Sequence, residues 1–423
     1  MKLSVILAAA LAGCASAGAP PERQAAEDAV SILLFGDTGY DYDWLDEDDY
    51  EDRYTGREFV LAELDDWIED KRPIEEFRIP PMHYAEQTGG YVMASGMWPV
   101  SKAAHAWCAP PERCAFGIML GDNIYPDGAT AGADGRDDAQ RFEDLLWRPY
   151  KGLREQDPGF VIYPVLGNHD WDTSREGAMA QVAYLRQSPL YALDGIYYRA
   201  SPAPGVEIFA LDTTVMLNAE VVYDDALADD GSPIDTGRED KDEPWAEPVG
   251  DEAEMVAWLE RALAESEARW KIVVGHHPLW SSSGTKHEEA KVLRRLLMPL
   301  LCRYADAYYA GHDHTLEIHT DDCRAQGAHY RDLPPLVHVV SGAAGKQRPV
   351  PTPFMAWQDR AFPQKTTYYV EGLIWGFVEA VLAGDTQTLH VVTTPNSGSG
   401  EPVPAYSREF ARRSGLAPGP ATR

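Results

Sequence analysis

Apolar runs of strand length punctuate the chain at residues 31–35, 116–120, 161–166, 207–211, 271–274, 307–309 and 336–340. Helical patterns lie between them, at 57–69, 138–150, 253–269 and 288–304. In the third of these, Met255, Val256, Leu259 and Leu263 share one face at helical spacing. Glu254 follows Asp251 by three, which predicts a capping box. Near the end, apolar runs at 377–382 and 388–392 flank Ala383, Gly384 and Asp385, a hairpin pattern. Strands alternating with helices predict an α/β fold built on central sheets.

Five of the strands lead into a glycine and side chains able to bind metal. The blocks are Gly36-Asp37-Thr38-Gly39, Gly121-Asp122-Asn123-Ile124-Tyr125, Gly167-Asn168-His169-Asp170, Val273-Val274-Gly275-His276-His277 and Gly311-His312-Asp313-His314. The carboxyl ends of strands are where open α/β sheets place ligands. A glycine beside one ligand could simply end a strand. Five such blocks in order make that reading improbable, and their glycines would let backbone pack tightly around bound ions. Together the blocks offer carboxylate, amide, imidazole and phenol donors for two metal ions, a recurrent device for hydrolysing phosphate esters.

The set resembles the metallophosphoesterase superfamily, whose pattern is GDxG, GDxxY, GNH(D/E), VxxH and GHxH. Tyr125 narrows the resemblance to purple acid phosphatases of the small tartrate-resistant type. Leu211-Asp212-Thr213, the segment from His276 to Ser281, the run from Leu297 to Leu301, and Ser341-Gly342-Ala343 are similar to that group as well. The resemblance covers roughly residues 31–393. It implies a two-sheet β-sandwich core flanked by helices, with a dimetal site at the carboxyl ends of strands. It also implies a first metal held by Asp37, Asp122, Tyr125 and His314, and a second held by Asp122, Asn168, His276 and His312, with Asp122 bridging. The implied activity is hydrolysis of phosphomonoesters by attack of a metal-bound hydroxide. His169 is the first choice for the acid that protonates the leaving oxygen, and His287 the second. Asp170 is expected to orient an imidazole from outside the ligand shell, and His277 to stand beside the ligands where the family usually has an aromatic.

The donor chemistry agrees with that assignment. A phenolate with two carboxylates is a hard, anionic set suited to Fe(III), and a trivalent cation would displace the phenolic proton. A bridging carboxylate, an amide oxygen and two imidazoles suit a divalent ion such as Zn, Fe or Mn. The chain departs from the family in a longer acidic, Trp-rich segment between the first two blocks, in an acidic loop after Thr214, and at His277. These departures bear on specificity more than on chemistry. A phosphodiesterase on the same scaffold is the alternative, disfavoured by Tyr125. A non-catalytic, metal-bound surface protein is a further one, disfavoured by the intact ligand set and by His169.

The formal charge of −31 argues against a nucleic-acid-binding surface and leaves a small phosphorylated substrate as the partner. The acid is concentrated in two insertions, near 41–56 and 224–250, that read as solvated loops. Asp41-Tyr42-Asp43 starts like a calcium loop, but Asp46 stands where its glycine should be. Because the five blocks must converge, residues 31–395 are expected to form one catalytic domain. The tail 396–423, rich in Gly, Pro, Ser and Arg, is expected to be irregular.

Residues 1–14 read as a lipoprotein-type export signal, with Lys2 ahead of an apolar stretch and Leu11-Ala12-Gly13-Cys14 as a lipobox. Residues 15–30 then form a tether. This predicts a lipid anchor through Cys14 and a place in the cell envelope, as a periplasmic or outer-membrane lipoprotein. Cleavage after Ala15-Ser16-Ala17, giving a secreted protein, is the alternative. The remaining cysteines, Cys108, Cys114, Cys302 and Cys323, are even in number, and in an exported protein that suggests disulfides with three possible pairings. Local pairing, Cys108–Cys114 and Cys302–Cys323, is expected; a zinc site built from all four cysteines is the alternative, disfavoured because CxxC spacing is absent. His83, His105, His319, His329, His338 and His390 are read as surface or core residues. Trp44, Trp67, Trp98, Trp107, Trp280 and Trp357 are read as packing residues, with Trp280 near enough to line a pocket.

Overall fold

The computed structural model describes residues 29–45, 53–86, 89–110, 114–132, 138–240, 243–284 and 286–413. The expected export signal and most of the tether (1–28) lie outside the described residues, as do 46–52 of the first acidic insertion and the chain from 414.

In chain order the strands begin with β1 (Val30–Phe35), β2 (Met82–Ala85), β3 (Gly90–Met93), β4 (Phe116–Leu120) and β5 (Ile162–Val165). They continue with β6 (Tyr198–Ala203), β7 (Val206–Ala210), β8 (Tyr223–Leu227), β9 (Pro233–Glu239), β10 (Trp270–Val274) and β11 (Ala307–Ala310). The last are β12 (Leu316–Asp321), β13 (Leu336–Ser341), β14 (Lys365–Glu371), β15 (Trp375–Ala383), β16 (Thr386–Thr394) and β17 (Val403–Ala411). Two large sheets result. One has the order β17-β16-β15-β1-β4-β5 and the other β14-β12-β13-β11-β10-β7-β6. Two hairpins, β2-β3 and β8-β9, stand apart from them.

The strands that lead into the metal-binding blocks form the parallel parts of these sheets, with β5 at the edge of the first. β1 pairs with β4 and β4 with β5 in parallel, as do β7 with β10 and β10 with β11. Their side chains alternate between two apolar environments. Ile32, Leu34, Ile118 and Leu120 of the first sheet pack with Ile208, Ile272, Val274 and Val339 of the second, filling the space between the sheets. The alternate residues Leu33, Phe35 and Met119 turn outward onto the helix Met97–Trp107. Phe209, Val273 and Tyr308 turn outward beneath the helices Met255–Glu265 and His287–Tyr304. Each fully buried aliphatic side chain of this kind contributes about 1.5–3 kcal/mol. This α/β architecture, two packed sheets flanked by helices, is the one the sequence predicts.

Several local expectations are corrected. Residues 138–150 do not form one regular helix. The helix Asp138–Phe142 runs into a wide turn, Glu143–Trp147, closed by the Arg148 N–H on the Glu143 carbonyl five residues back. The predicted cap at Asp251 and Glu254 does not form either. Glu252 accepts from the Val249 N–H at 3.1 Å and binds Arg175 at 3.0 Å, so the chain enters through a short 3₁₀ turn, Gly250–Glu254. The tail expected to be irregular contains β17. Most of its residues are exposed, and pairing with β16 holds it at the sheet edge without an apolar pattern. The second acidic insertion includes the hairpin β8-β9. The disulfides are the local ones, Cys108–Cys114 and Cys302–Cys323. Among the described residues no helix is long and apolar enough to cross a membrane.

Candidate metal centre

The loops after β1, β4 and β5 meet those after β10 and β11 at one end of the sandwich. Three ligand-bearing residues there adopt left-handed backbone, at φ 56° for Asp37, 50° for Asp122 and 69° for His312. Such conformations are costly outside glycine and persist where surrounding contacts enforce them. Here Asp37 N–H donates to the Gly121 carbonyl at 2.9 Å, and His312 N–H donates to Asp37 Oδ2 at 2.8 Å. The neighbouring glycines are required by space. A Cβ on Gly121 would lie 2.4 Å from His276 Nδ1, and one on Gly167 would lie 2.2 Å from Asp122 Oδ1.

Two groups of four donors result. In the first, the Tyr125 hydroxyl lies 2.7 Å from Asp122 Oδ2, 3.3 Å from Asp37 Oδ1 and 3.2 Å from His314 Nε2. In the second, Asn168 Oδ1 lies 3.2 Å from His276 Nε2 and 3.1 Å from His312 Nδ1, and those two nitrogens are 3.1 Å apart. Asp122 belongs to both, because its other oxygen, Oδ1, is 3.3 Å from His276 Nε2. Separations of about 3 Å are those between donors arranged around one first-row cation with bonds of about 2 Å. Two imidazole nitrogens and an amide oxygen turned toward one point are poorly matched as mutual hydrogen-bond partners, since oxygen only accepts there. The set therefore fits two metal ions.

The electrostatics agree. Burial raises the Asp37 carboxyl well above the usual range, with Asp122 adding to the effect against His276. Burial also opposes charge on Asp122, yet His276 and His169 hold its carboxyl well below the ordinary value. His276 is raised to about 10 because Asp122 and Asp37 outweigh the cost of burying its charge. Positive charge is thus favoured at this point among the carboxylates. Burial, Asp122 and Asp37 keep the Tyr125 phenol protonated well above its normal range, so ionising it here calls for a strong positive charge. Burial and the cations Arg348 and Lys346 keep His314 neutral, the form in which imidazole binds metal.

A model of the calcineurin-like phosphoesterase family matches residues 30–316, which include all of these donors. The chain belongs to the calcineurin-like phosphoesterase family. Purple acid phosphatase 4 of Arabidopsis thaliana is 30% identical over 203 residues, 48% of this chain and 53% of that protein. Tartrate-resistant acid phosphatase type 5 of Mus musculus is 30% identical over 213 residues, 49% of this chain and 57% of that protein. The chain thus spans about half the length of the curated relatives it matches. The solved structure titled "GAP50 the anchor in the inner membrane complex of Plasmodium" superposes with a TM-score of 0.54 at 15% identity, over 92% of this chain and 90% of that one, a likeness of fold.

Around this phosphoesterase centre the remaining expected residues divide. His169 is half-buried at its open side, with its ring 4.4 Å from that of Tyr125. Its Nδ1 lies 2.5 Å from the Pro126 carbonyl, which can only accept, so Nδ1 carries the proton and Nε2 faces Asp122 Oδ2 at 4.0 Å. His277 lies against the His312 ring at 4.2 Å, and its Nδ1 is 2.8 Å from the Thr213 hydroxyl. Among the described residues Asp170 makes no hydrogen bond to an imidazole. Its carboxylate accepts from the N–H groups of Gly167 and Asn123, at 2.8 Å and 3.0 Å, and from the Gln181 amide at 3.1 Å. It ties the second and third ligand loops together, a different task from the one expected.

His287 is not brought to the centre. It opens the helix His287–Tyr304 and its ring packs against Phe354, Trp357 and Phe362, where burial pushes it down to about 3. Helix geometry turns the side chain two positions later by about 200°, so Glu289 faces the centre instead. Glu289 Oε2 sits 3.1 Å from His312 Nε2, and Lys286 binds its Oε1 at 3.2 Å. Lys286 and Glu289, like Lys346 and Arg348 near His314, carried no motif that would single them out. Trp280 does not line the site. It is buried against Phe362 with the Arg294 guanidinium 4.3 Å from its ring.

Proposed function

We propose that the protein is an exported, binuclear metal-dependent acid phosphatase acting on small phosphomonoesters. The observation that carries this reading is Asp122, shared between two four-donor groups of which one includes the Tyr125 phenol. The names of the relatives, purple and tartrate-resistant acid phosphatases, support it. The donor set supports Fe(III) with Asp37, Asp122, Tyr125 and His314, and Zn, Fe or Mn with Asp122, Asn168, His276 and His312. Bound there, such a pair supplies Lewis-acid polarisation of a phosphoryl oxygen and a water acidic enough to act as nucleophile.

The chain's own residues do the rest. Asn168 and His169 are half-buried while the other donors are buried, so the substrate approaches from their side. With Nδ1–H fixed on the Pro126 carbonyl, His169 turns Nε2 toward the centre and passes a proton to the leaving oxygen as the imidazolium. Burial lowers the pKa of that form to about 4 against the pull of Asp122, so this step belongs to acidic pH. Lys286 and Arg348 place positive charge at opposite edges of the centre, through Glu289 and Asp313 respectively. Export and anchoring through Cys14 rest on residues 1–14; an unmodified Cys14 in the mass of the mature amino terminus would remove the anchor.

The test of the activity is the ratio of kcat/KM for an aryl phosphomonoester over the matching diester, measured on metal-replete protein from acidic to neutral pH. A strong monoester preference with an acidic optimum supports the reading. Diester preference near neutral pH overturns it in favour of a phosphodiesterase. Inactivity on both with two metals bound overturns it in favour of a non-catalytic role.

A further inference from the structure

Beside His314 opens a cavity of about 400 Å³ that extends away from the metal centre. That volume lies in the range that accommodates small organic ligands rather than a lone phosphate. One wall comes from the loop after β13, which brings Lys346 and Arg348 next to His314. The facing wall comes from the insertion between the first two ligand blocks, which contributes Arg53, Arg72 and Arg78. Among the described residues five cations line this cavity, in a chain with a formal charge of −31.

The charges are ordered in space. Lys346 Nζ lies 4.9 Å from the centre of the Tyr125 ring and 5.3 Å from that of Tyr40, so an ammonium overhangs a metal-binding residue at the cavity's inner end. Arg348 is registered to the same centre twice. Its N–H donates to the His314 carbonyl at 3.0 Å, and its guanidinium binds Asp313, between the ligands His312 and His314, at 3.2 Å. Among the described residues the carboxylates lining the cavity, Glu63, Asp66, Glu69 and Asp70, belong to the insertion wall. There Arg53 meets Glu63 at 3.6 Å and Arg72 meets Asp70. Arg78 is exposed at the rim, its one described contact being to the neighbouring Phe77 carbonyl. Lys346 and Arg348 thus stand where the cavity meets the metal-binding residues Tyr125 and His314, so a group bound in the cavity would lie beside them.

We propose that this cavity is a subsite for a second anionic group. The substrate is then a small phosphomonoester whose leaving group carries a further phosphate, held by Lys346 and Arg348 while the first phosphate lies at the metals. This rests on the phosphatase reading above and narrows it to a substrate class. The insertion, one of the places where the sequence departs from the family it resembles, becomes the wall that selects.

Two readouts on the full chain test it. The first is the ratio of kcat/KM for a sugar bisphosphate over an uncharged aryl monophosphate, in the native protein and in Lys346→Gln. The native protein should favour the bisphosphate, and the variant should lose about tenfold of that preference, the size of one charge-assisted contact. Arg78→Glu, at an exposed position, should lower the ratio in the same direction if Lys346→Gln does not fold. The second is calorimetric binding of inorganic pyrophosphate to metal-stripped protein, which should weaken in both variants. An unchanged ratio in both variants overturns the subsite while leaving the phosphatase reading intact. Pyrophosphate binding lost in the variants of a protein that turns over no ester supports the subsite and sinks the phosphatase reading. Pyrophosphate binding equally to native and variant proteins overturns the subsite.

Discussion

Glu289 Oε2 lies 3.1 Å from His312 Nε2, on the opposite side of the ring from the nitrogen that faces Asn168 and His276. Burial alone would raise this carboxyl, but Lys286 and His312 hold it well below its usual range. It is therefore an ionised acceptor that fixes the imidazole's tautomer and makes Nδ1 the better donor. Glu289→Gln should weaken binding of the divalent ion by about 10–100-fold while sparing the ion beside Tyr125. Chelator competition followed by metal analysis reads this directly; equal loss of both ions would contradict it.

Tyr125 supplies the phenol of the other donor group. Tyr125→Phe should abolish visible absorption from an Fe(III)–phenolate while the divalent ion remains bound. Unchanged absorption would sink the phenolate assignment.

His169 should matter most when the leaving group is poor. His169→Ala should lower kcat for alkyl phosphates by about 10²-fold, the scale of general acid catalysis, and by less for aryl phosphates, whose leaving oxygen needs little protonation. An equal loss on both classes would assign His169 a binding or structural task.

Asp306 gives a pH signature of stability remote from the ligands. It is buried after the helix His287–Tyr304, accepts from the Lys271 N–H at 2.9 Å, and is raised by burial to about 7. Its folded pKa exceeds the unfolded value, so the native state holds the proton more tightly. Its stabilising contribution is full at low pH and is lost as pH rises through about 7. Asp306→Asn should keep the acceptor and remove the titration. The variant should gain stability over the native protein between about pH 4 and about pH 7 and keep that gain above it, as read from urea midpoints. Parallel pH profiles would refute this.

The buried strands were legible because β1, β4, β10 and β11 are apolar at nearly every position and end in glycine. β17 was not, because its residues are mostly exposed and its place is set by pairing. Five ligand loops were legible as blocks of adjacent residues. His287 was misplaced because sequence spacing does not fix the phase of a helix whose first turn is set by packing on Phe354 and Phe362. Glu289 was invisible for the same reason. Lys346 and Arg348 follow a strand with no motif attached, and only the approach of its loop to His314 gives them meaning. His319 and His338, read as surface or core, lie in the core, where His319 Nε2 meets Glu317 at 2.6 Å and His338 Nε2 accepts from the Leu279 N–H.

Neither donor group is contained in one sheet. Asp37, Asp122, Tyr125 and Asn168 hang from the sheet of β1, β4 and β5, whereas His276, His312 and His314 hang from that of β10 and β11. Any ion bound by either group therefore clasps the two halves of the sandwich across its apolar seam. Ions that bind only the closed form add to its free energy of folding in proportion to the logarithm of their concentration. The chemistry and the mechanical integrity of the molecule would then answer to the same supply of metal. A cell short of the ion would hold a less stable fold along with an idle centre.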